Sequence, residues 1–485
     1  MKYEVVIGCE VHVQMLTKSK AFCSCPNSFG GEPNSRICPV CLGLPGSLPL
    51  PNKTIIYYAI KAGLALNCQI AMLTKFDRKN YVYPDLPKAY QISQYDMPIC
   101  TNGYLEVEIG NNKRKIGITR VHMEEDTGKN IHAEDGSGIS YVDYNRAGTP
   151  LLEIVSEPDI RSPEEAVVYV ESLRQIMRFL DISDCNMEEG SLRCDANINL
   201  WVYEDGKRFA TPIVEVKNMN SFKAMKNALE YEVLRQQEEW QEKRFTLEAK
   251  GKTTRGWNEK RGETILQRLK EEAADYRYFP EPDIKPIRLQ QNLIQEIKQT
   301  IGELPEQKRR RFMEFYGLNA GDAETLTQSK ALCAYFEEAA HGYGDPKKIA
   351  NWILSEVKKI LNEKQIGIEQ FIVPAREITR LLEFVDSGSI SGKIAKDVFK
   401  EMATSGKTAG EIIEQGGLSQ ISDTGELEML VERIISENPS VATDFKGGKE
   451  KALQFLMGQV MKASKGKANP GVTIELIKQK LLESQ

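Results

Sequence analysis

Two sets of residues in the first half of this chain have the types and spacing to do chemistry. Cys23-Ser24-Cys25 and Cys38-Pro39-Val40-Cys41 form two close thiol pairs around a loop that contains Pro26, Gly30, Gly31 and Pro33. Two doublets closing one loop suit a tetrahedral four-cysteine zinc site, with thiolates about 2.3 Å from the metal. The C-x2-C half has the usual spacing and the C-x-C half is tighter. The same residues can instead be four small hydrophobes, but Cys68, Cys100 and Cys185 are isolated, and the clustering favours metal. With no histidine and no open ligand position implied, the site is expected to be structural.

The second set is acidic. Glu10 and His12 are two apart on a strand-like run, about 7 Å along one face. Glu124 and Glu125 follow in RVHMEEDTGK, Glu153 in GTPLLEIVSEPD, Asp195 in SLRCDANINL and Glu215 in IVEVKNMNSF. Each lies in or beside a strand-like run, so one sheet can gather them. Clustered carboxylates repel unless cations neutralise them, and Mg²⁺ with phosphate oxygens is the usual reason. Arg78, Lys79 and Lys217 are candidates for the remaining phosphate charge. The alternative is an ordinary solvated sheet face, and spacing alone leaves both open.

Phe76–Asp96, FDRKNYVYPDLPKAYQISQYD, has two prolines and too few apolar residues to bury a strand fully. It is expected to be an ordered surface loop presenting Arg, Lys, Tyr, Ser and Gln to an anion. Familiar nucleotide and hydrolase motifs are missing. Gly251-Lys252-Thr253 ends like a P-loop, but Thr246 stands where the first glycine belongs. There is no G-x-S-x-G, H-E-x-x-H or kinase signature, and no Ser/Lys amidase segment. Any ATP site is therefore unconventional. From Phe445 to Gln485, eight lysines face three acids, so Lys462, Lys465 and Lys467 make either a phosphate-backbone contact or a solubilising surface.

These residues need elements to position them. Val5, Ile7, Cys9, Val11 and Val13 share one face of a strand, with Glu10, His12 and Gln14 on the other. Leu192 to Val202 alternates in the same way, leaving Arg193, Asp195, Asn197, Asn199 and Trp201 on a wet face. Ser162-Pro163-Glu164-Glu165 opens a helix to about Leu180, and Ser221 opens another with Phe222, Met225, Leu229 and Val233 inward. The fold class is expected to be α+β with a largely antiparallel sheet. At 485 residues the chain has room for about three domains of roughly 150 residues. Residues 1–290 are expected to form the α+β catalytic cradle, 291–405 a helical linker domain and 406–485 a helical tail. Leu427, Leu430, Val431 and Ile434 mark one tail helix, and Phe455, Leu456 and Val460 another. A net charge of −5 confines nucleic-acid contact to local patches. Ten cysteines, no apolar run near 18 residues and no signal-like N-terminus point to a cytoplasmic protein off the membrane.

The chain resembles the GatB family from end to end. The likeness rests on GCEVHVQ, the Cys quartet with CPVCLGLPGSLP, FDRKNYVYPDLPKAYQISQ, RVHMEEDTGK, AGTPLLEIVSEPD, MEEGSLRCDANI, VEVKNMNSF and DYRYFPEPD. The tail from Asp444 resembles a small helical module that the family shares with a free-standing family. Family sequences usually read PKGYQ where this chain has Ala89 in Pro87-Lys88-Ala89-Tyr90-Gln91. The resemblance implies a ligase component that uses ATP to phosphorylate the side-chain carboxylate of Glu-tRNA(Gln) or Asp-tRNA(Asn). Ammonia then displaces the phosphate. It implies partners: an amidase A subunit supplying ammonia, a small C subunit and the misacylated tRNA. It implies Glu10, His12, Glu125, Glu153, Asp195 and Glu215 as catalytic Mg²⁺ ligands, Arg78, Lys79 and Lys217 on phosphate, and the tail on tRNA. The alternatives are a free-standing ligase amidating a small acid, opposed by the basic tail, and a non-catalytic tRNA adaptor, opposed by the gathered carboxylates.

Overall fold

The structure is a computed structural model that describes residues 2–110, 112–133, 137–269, 275–418, 424–446, 450–464, 468 and 470–483. The chain forms two compact units, Met1–Pro305 and Glu306–Gln485. Among the described residues the first unit is built on a sheet of ten strands. Its order is Glu263–Leu269, Lys252–Asn258, Ile213–Lys217, Leu192–Glu204, Lys2–Gln14, Pro150–Ser156, Asn112–Glu125, Cys100–Ile109 and Gln69–Ile70, with Lys207–Ala210 paired beside Leu192–Glu204. Only Ile213–Lys217 and Lys252–Asn258 run parallel; the other pairs in this sheet are antiparallel.

Alternation fixes which face is wet. Val5, Ile7, Cys9, Val11 and Val13 are buried, as are Leu192, Cys194, Ala196, Ile198, Leu200 and Val202. They pack against Ile55 and Ile60 of Lys53–Ala65, Tyr169 and Leu173 of Pro163–Phe179, and Met225 and Leu229 of Phe222–Lys243 in one core. Asn199, expected on the wet face, is buried, where its amide donates to the Thr211 carbonyl at 3.2 Å. Both serine caps form: Ser162 Oγ accepts from Glu165 N at 3.1 Å and Ser221 Oγ from Ala224 N at 3.0 Å. The Glu165 carboxylate reaches back to Arg161 N at 2.6 Å, one residue before the cap. Helix Gln291–Gln299 adds Ile294 and Ile297 to the same core, which carries the first unit past residue 290.

The expected loop after Phe76 is partly strand. Asp77–Asn80 pairs with Tyr90–Ser93 on one side and Phe279–Pro280 on the other. Sparse apolar residues do not prevent this, because hydrogen bonds satisfy the buried polar ones. Gln91 Nε2 donates to the Glu125 carbonyl at 2.7 Å, and Asp77 Oδ2 accepts from Tyr95 N at 3.0 Å.

The second unit is helical. Its last helices, Thr424–Glu437, Pro439–Lys446, Glu450–Ala463 and Pro470–Glu483, enclose Leu427, Val431, Ile434, Leu456, Val460 and Ile477. Phe455, expected on the apolar face, is 46% exposed. Among the described residues no helix is long and apolar enough to cross a membrane.

Candidate functional site

The site is built across adjacent strands of the large sheet. His12 lies opposite Glu153 on one side and Arg193 on the other, and Glu153 lies opposite His122. Val11, Val13, Val121, Met123, Leu152 and Ile154 point into the core, so period-two alternation puts His12, His122, Glu124 and Glu153 on the other face. His12 Nε2 is 3.5 Å from Glu124 Oε1 and 3.5 Å from Glu153 Oε2. His122 Nε2 is 3.2 Å from Glu153 Oε2 and 3.8 Å from Glu124 Oε2. One ligand atom each from His12, Glu124 and Glu153 falls within 4.8 Å of the others. His12 and Glu124 open onto a cleft of about 360 Å³ that Lys79, Tyr81, Asp126, Arg193, Asp195 and Lys217 also line.

The electrostatics suit a cation. Burial pulls the His12 pKa down, but the hydrogen bond and charge of Glu153, with the charge of Glu124, overcome it and lift the imidazole to about 9. Burial raises Glu153, while His122 and His12 outweigh it and hold its carboxyl well below the usual range. Without a metal, a proton on His12 holds the carboxylates together. A divalent ion can take that proton's place. The two carboxylates are hard oxygen donors that fit Mg²⁺, and the imidazole makes the set acceptable to Mn²⁺ as well.

Of the residues singled out in the sequence, the structure gathers His12 and Glu153, and it joins Glu124 to them rather than Glu125. The Glu125 carboxylate is bound by the Lys88 ammonium and by Ile92 N at 2.9 Å. Glu10 lies beside Asn197, whose amide donates to it at 2.9 Å, in a neighbouring cleft with Lys252. Asp195 and Glu215 share Lys217, at 2.6 and 3.4 Å. Arg78 is locked to Glu281 at 2.7 and 2.9 Å and to Asp283 at 3.2 Å. Lys79 lies over the Tyr276 ring, 5.0 Å from its centroid, and the charge of Glu124 raises its pKa against the effect of burial. Lys462 sits exposed near the end of Glu450–Ala463, while Lys465 and Lys467 lie outside the described residues. Sequence reasoning gave His122 and Asp126 no ligand or positioning role, and it placed Glu124 in the acidic set but chose Glu125 as the ligand. The phase of RVHMEED carried the signal: with Val121 and Met123 inward, His122 and Glu124 must share the wet face.

Cys23, Cys25, Cys38 and Cys41 converge, with all four sulfurs within 4.8 Å of one another. Cys38 N donates to Cys41 Sγ at 3.1 Å, and the fully buried Lys20 ammonium lies 3.8 Å from it. The Cys23 hydrogen bond and the Lys20 charge lower the Cys41 pKa against burial, while Cys23 and Cys25 are pushed up. Four converging sulfurs, with one thiol favoured as thiolate beside a buried ammonium, fit a thiolate-bound zinc ion. The loop also grips the chain ahead of the Glu153 strand. Arg36 N donates to Asn145 Oδ1 at 2.8 Å, Asn34 Nδ2 to the Val142 carbonyl at 3.0 Å, and Ala21 N to the Gly148 carbonyl at 2.8 Å.

Known proteins resemble this chain along nearly its whole length. Residues 5–295 match the family model described as the GatB/GatE catalytic domain, and residues 334–481 match one described as a GatB domain. The chain is 53% identical over 482 residues to the B subunit of the aspartyl/glutamyl-tRNA(Asn/Gln) amidotransferase of Carboxydothermus hydrogenoformans, covering 99% of both chains. It is 52% identical over 485 residues to the protein of that name in Moorella thermoacetica, covering 99% of this chain and 100% of the relative. The Borrelia recurrentis relative is 52% identical over 482 residues, covering 99% of both.

Proposed function

The chain belongs to the GatB/GatE family, and from that premise we infer what the His12 cleft does. The protein is one component of a multi-subunit, ligase-type amidotransferase that acts on misacylated tRNA. Neither a small-acid ligase nor a non-catalytic adaptor finds support in the relatives. In our reading the cleft takes ATP and the side-chain carboxylate of Glu-tRNA(Gln) or Asp-tRNA(Asn). A carboxylate is a poor electrophile. One of its oxygens attacks the γ-phosphorus, the bond to ADP breaks with its electrons leaving on ADP, and the acyl group gains a phosphate leaving group. Ammonia then attacks the acyl carbon, phosphate departs with the bonding pair, and the nitrogen loses a proton to give the amide.

The observation that carries this reading is the convergence of His12, Glu124 and Glu153 at a cleft that Lys79, Arg193 and Lys217 line. These three would hold Mg²⁺, which when bound neutralises phosphate charge and fixes ATP against the carboxylate. Asp195, Glu215 and Glu10 extend the acidic face, with Lys217 held between the first two, and Glu125 lies behind it on Lys88. Lys79 meets phosphate, whereas Arg78 is committed to Glu281. Ammonia would come from a partner amidase A subunit, with a small C subunit completing the complex. Zinc would sit on the four cysteines. The first unit, Met1–Pro305, serves as the catalytic cradle, the helices that follow as a linker, and the tail beyond about residue 418 as the tRNA grip through Lys462, Lys465 and Lys467. The reduced thiols are in keeping with a cytoplasmic location. The purified complex, given ATP, ammonium and Glu-tRNA(Gln), should form Gln-tRNA(Gln) and ADP. ATP turnover indifferent to charged tRNA would defeat the reading.

A further inference from the structure

We propose that Arg193 is a catalytic residue whose guanidinium binds the phosphoryl group in transfer, with Asp126 as the residue that aims it; this rests on reading the cleft as a carboxylate-phosphorylating site. Arg193 lies opposite His12 across the paired strands and lines the same cleft. Its Nη2 donates to Asp126 Oδ2 at 2.8 Å. Asp126 is itself buried and fixed: Oδ2 also accepts from Gln14 Nε2 at 2.8 Å, Oδ1 accepts from Thr127 N at 2.9 Å, and Arg146 Nε lies 3.6 Å away. The guanidinium is thus held by one terminal nitrogen. Its Nε is shielded from water and has no hydrogen-bond partner. The side chain as a whole is 37% exposed where it lines the cleft, so the rest of the guanidinium is within reach of an acceptor that arrives with the substrate.

Beside Lys79, which lines the same cleft, the other cations expected on phosphate are less available. Arg78 is closed off by Glu281 and Asp283, and Lys217 by Asp195 and Glu215. A guanidinium also suits the task better than an ammonium. Its planar fork matches two oxygens of a phosphoryl group and it stays charged throughout. In the transfer step Arg193 gives up no proton. It donates hydrogen bonds to the equatorial oxygens as the carboxylate–phosphorus bond forms and the bond to ADP breaks.

The test uses the assembled amidotransferase with ATP, ammonium and Glu-tRNA(Gln). Arg193→Gln should lower kcat at saturating ATP on the order of 10²–10³-fold while the KM for charged tRNA stays within about twofold. Arg193→Lys should recover little of the loss. Added guanidinium at non-denaturing concentration should restore part of the turnover of Arg193→Ala. Asp126→Asn, which loosens the aim but keeps the cation, should cost less than Arg193→Gln. If Arg193 only neutralises Asp126, the double variant Asp126→Asn/Arg193→Gln will regain the activity that Arg193→Gln lost, and the proposal is overturned. It is equally overturned if Arg193→Gln keeps kcat within about twofold. If Arg193→Gln does not fold, Arg193→Lys decides, since full turnover with lysine rules out the forked donor. Wild-type complex that makes no amide would sink the parent reading instead.

Discussion

Glu124 and Glu125 are neighbours in sequence with opposite surroundings, and substitution should separate them. Glu124→Gln removes a carboxylate from the His12 cluster. It should lower ammonium-dependent amidation on the order of 10²-fold or more, since a lost metal ligand forfeits several kcal/mol of charge stabilisation. Glutamine hydrolysis by the partner should persist. A Glu124→Gln complex with full turnover would remove Glu124 from the ligand set. His12 gives the cluster a pH signature. Its folded pKa of about 9 lies above the ordinary value of 6.5, so in metal-free protein its contribution to stability is complete below pH 6.5. That contribution is lost as pH rises through about 9. Metal must displace this proton, so apparent Mg²⁺ affinity should rise about tenfold per pH unit below 9. Calorimetric titrations at pH 7 and 8 showing equal affinity would contradict this. Ala89 has φ +58°, the left-handed region that costs an L-residue about 1–2 kcal/mol. This is the position where the family usually has glycine. Ala89→Gly should therefore stabilise the chain by about 1 kcal/mol, read as a higher Tm.

At the scale of elements, the cysteine loop is a clamp more than a catalyst. Cys38→Ser should lower zinc content and thermal stability together, with a smaller effect on amidation in protein that stays folded. Wild-type protein purified under reducing conditions with no bound zinc would refute the site. Elements were the most legible level of the sequence, because a sheet with one buried face writes period two into its strands. Lys2–Gln14 and Leu192–Glu204 could be read in phase from Val5–Val13 and Leu192–Val202, and the serine caps marked both helix starts. Asp77–Asn80 could not be read this way. Its strand character comes from partners at Tyr90–Ser93 and Phe279–Pro280, the latter about 200 residues away, and its buried groups are polar. The commitment of Arg78 to Glu281 was hidden for the same reason, since a distant ion pair leaves no local periodicity. Phe455 sits at helical spacing beside Leu456, yet only Leu456 turns inward.

Across both units, the proposed catalytic residues lie in the first and the basic tail in the second. The tail should therefore govern tRNA affinity more than turnover. The cut that tests this belongs near residue 418 rather than 406, because Ala409–Gln415 buries Ile412 and Ile413 and Ala409 N donates to Glu377 at 3.2 Å. Truncated complex should show a raised KM for charged tRNA with kcat largely kept. Its log K against log salt should also be shallower, each lost phosphate contact removing a slope of roughly 0.9. Equal affinity and equal slope in both forms would return the tail to a solubilising role.

The hydrogen bonds from the cysteine loop to Val142, Asn145 and Gly148 have a consequence for metal economy. Gly148 N donates in turn to the Asp126 carbonyl, Asp126 N to the Thr149 carbonyl, and Pro150 begins the strand that carries Glu153. Loss of a metal from the four cysteines should thus reach the acidic cluster through the backbone. A zinc-starved enzyme should need more magnesium to reach half-maximal activity, so scarcity of one ion would present itself to the cell as hunger for another.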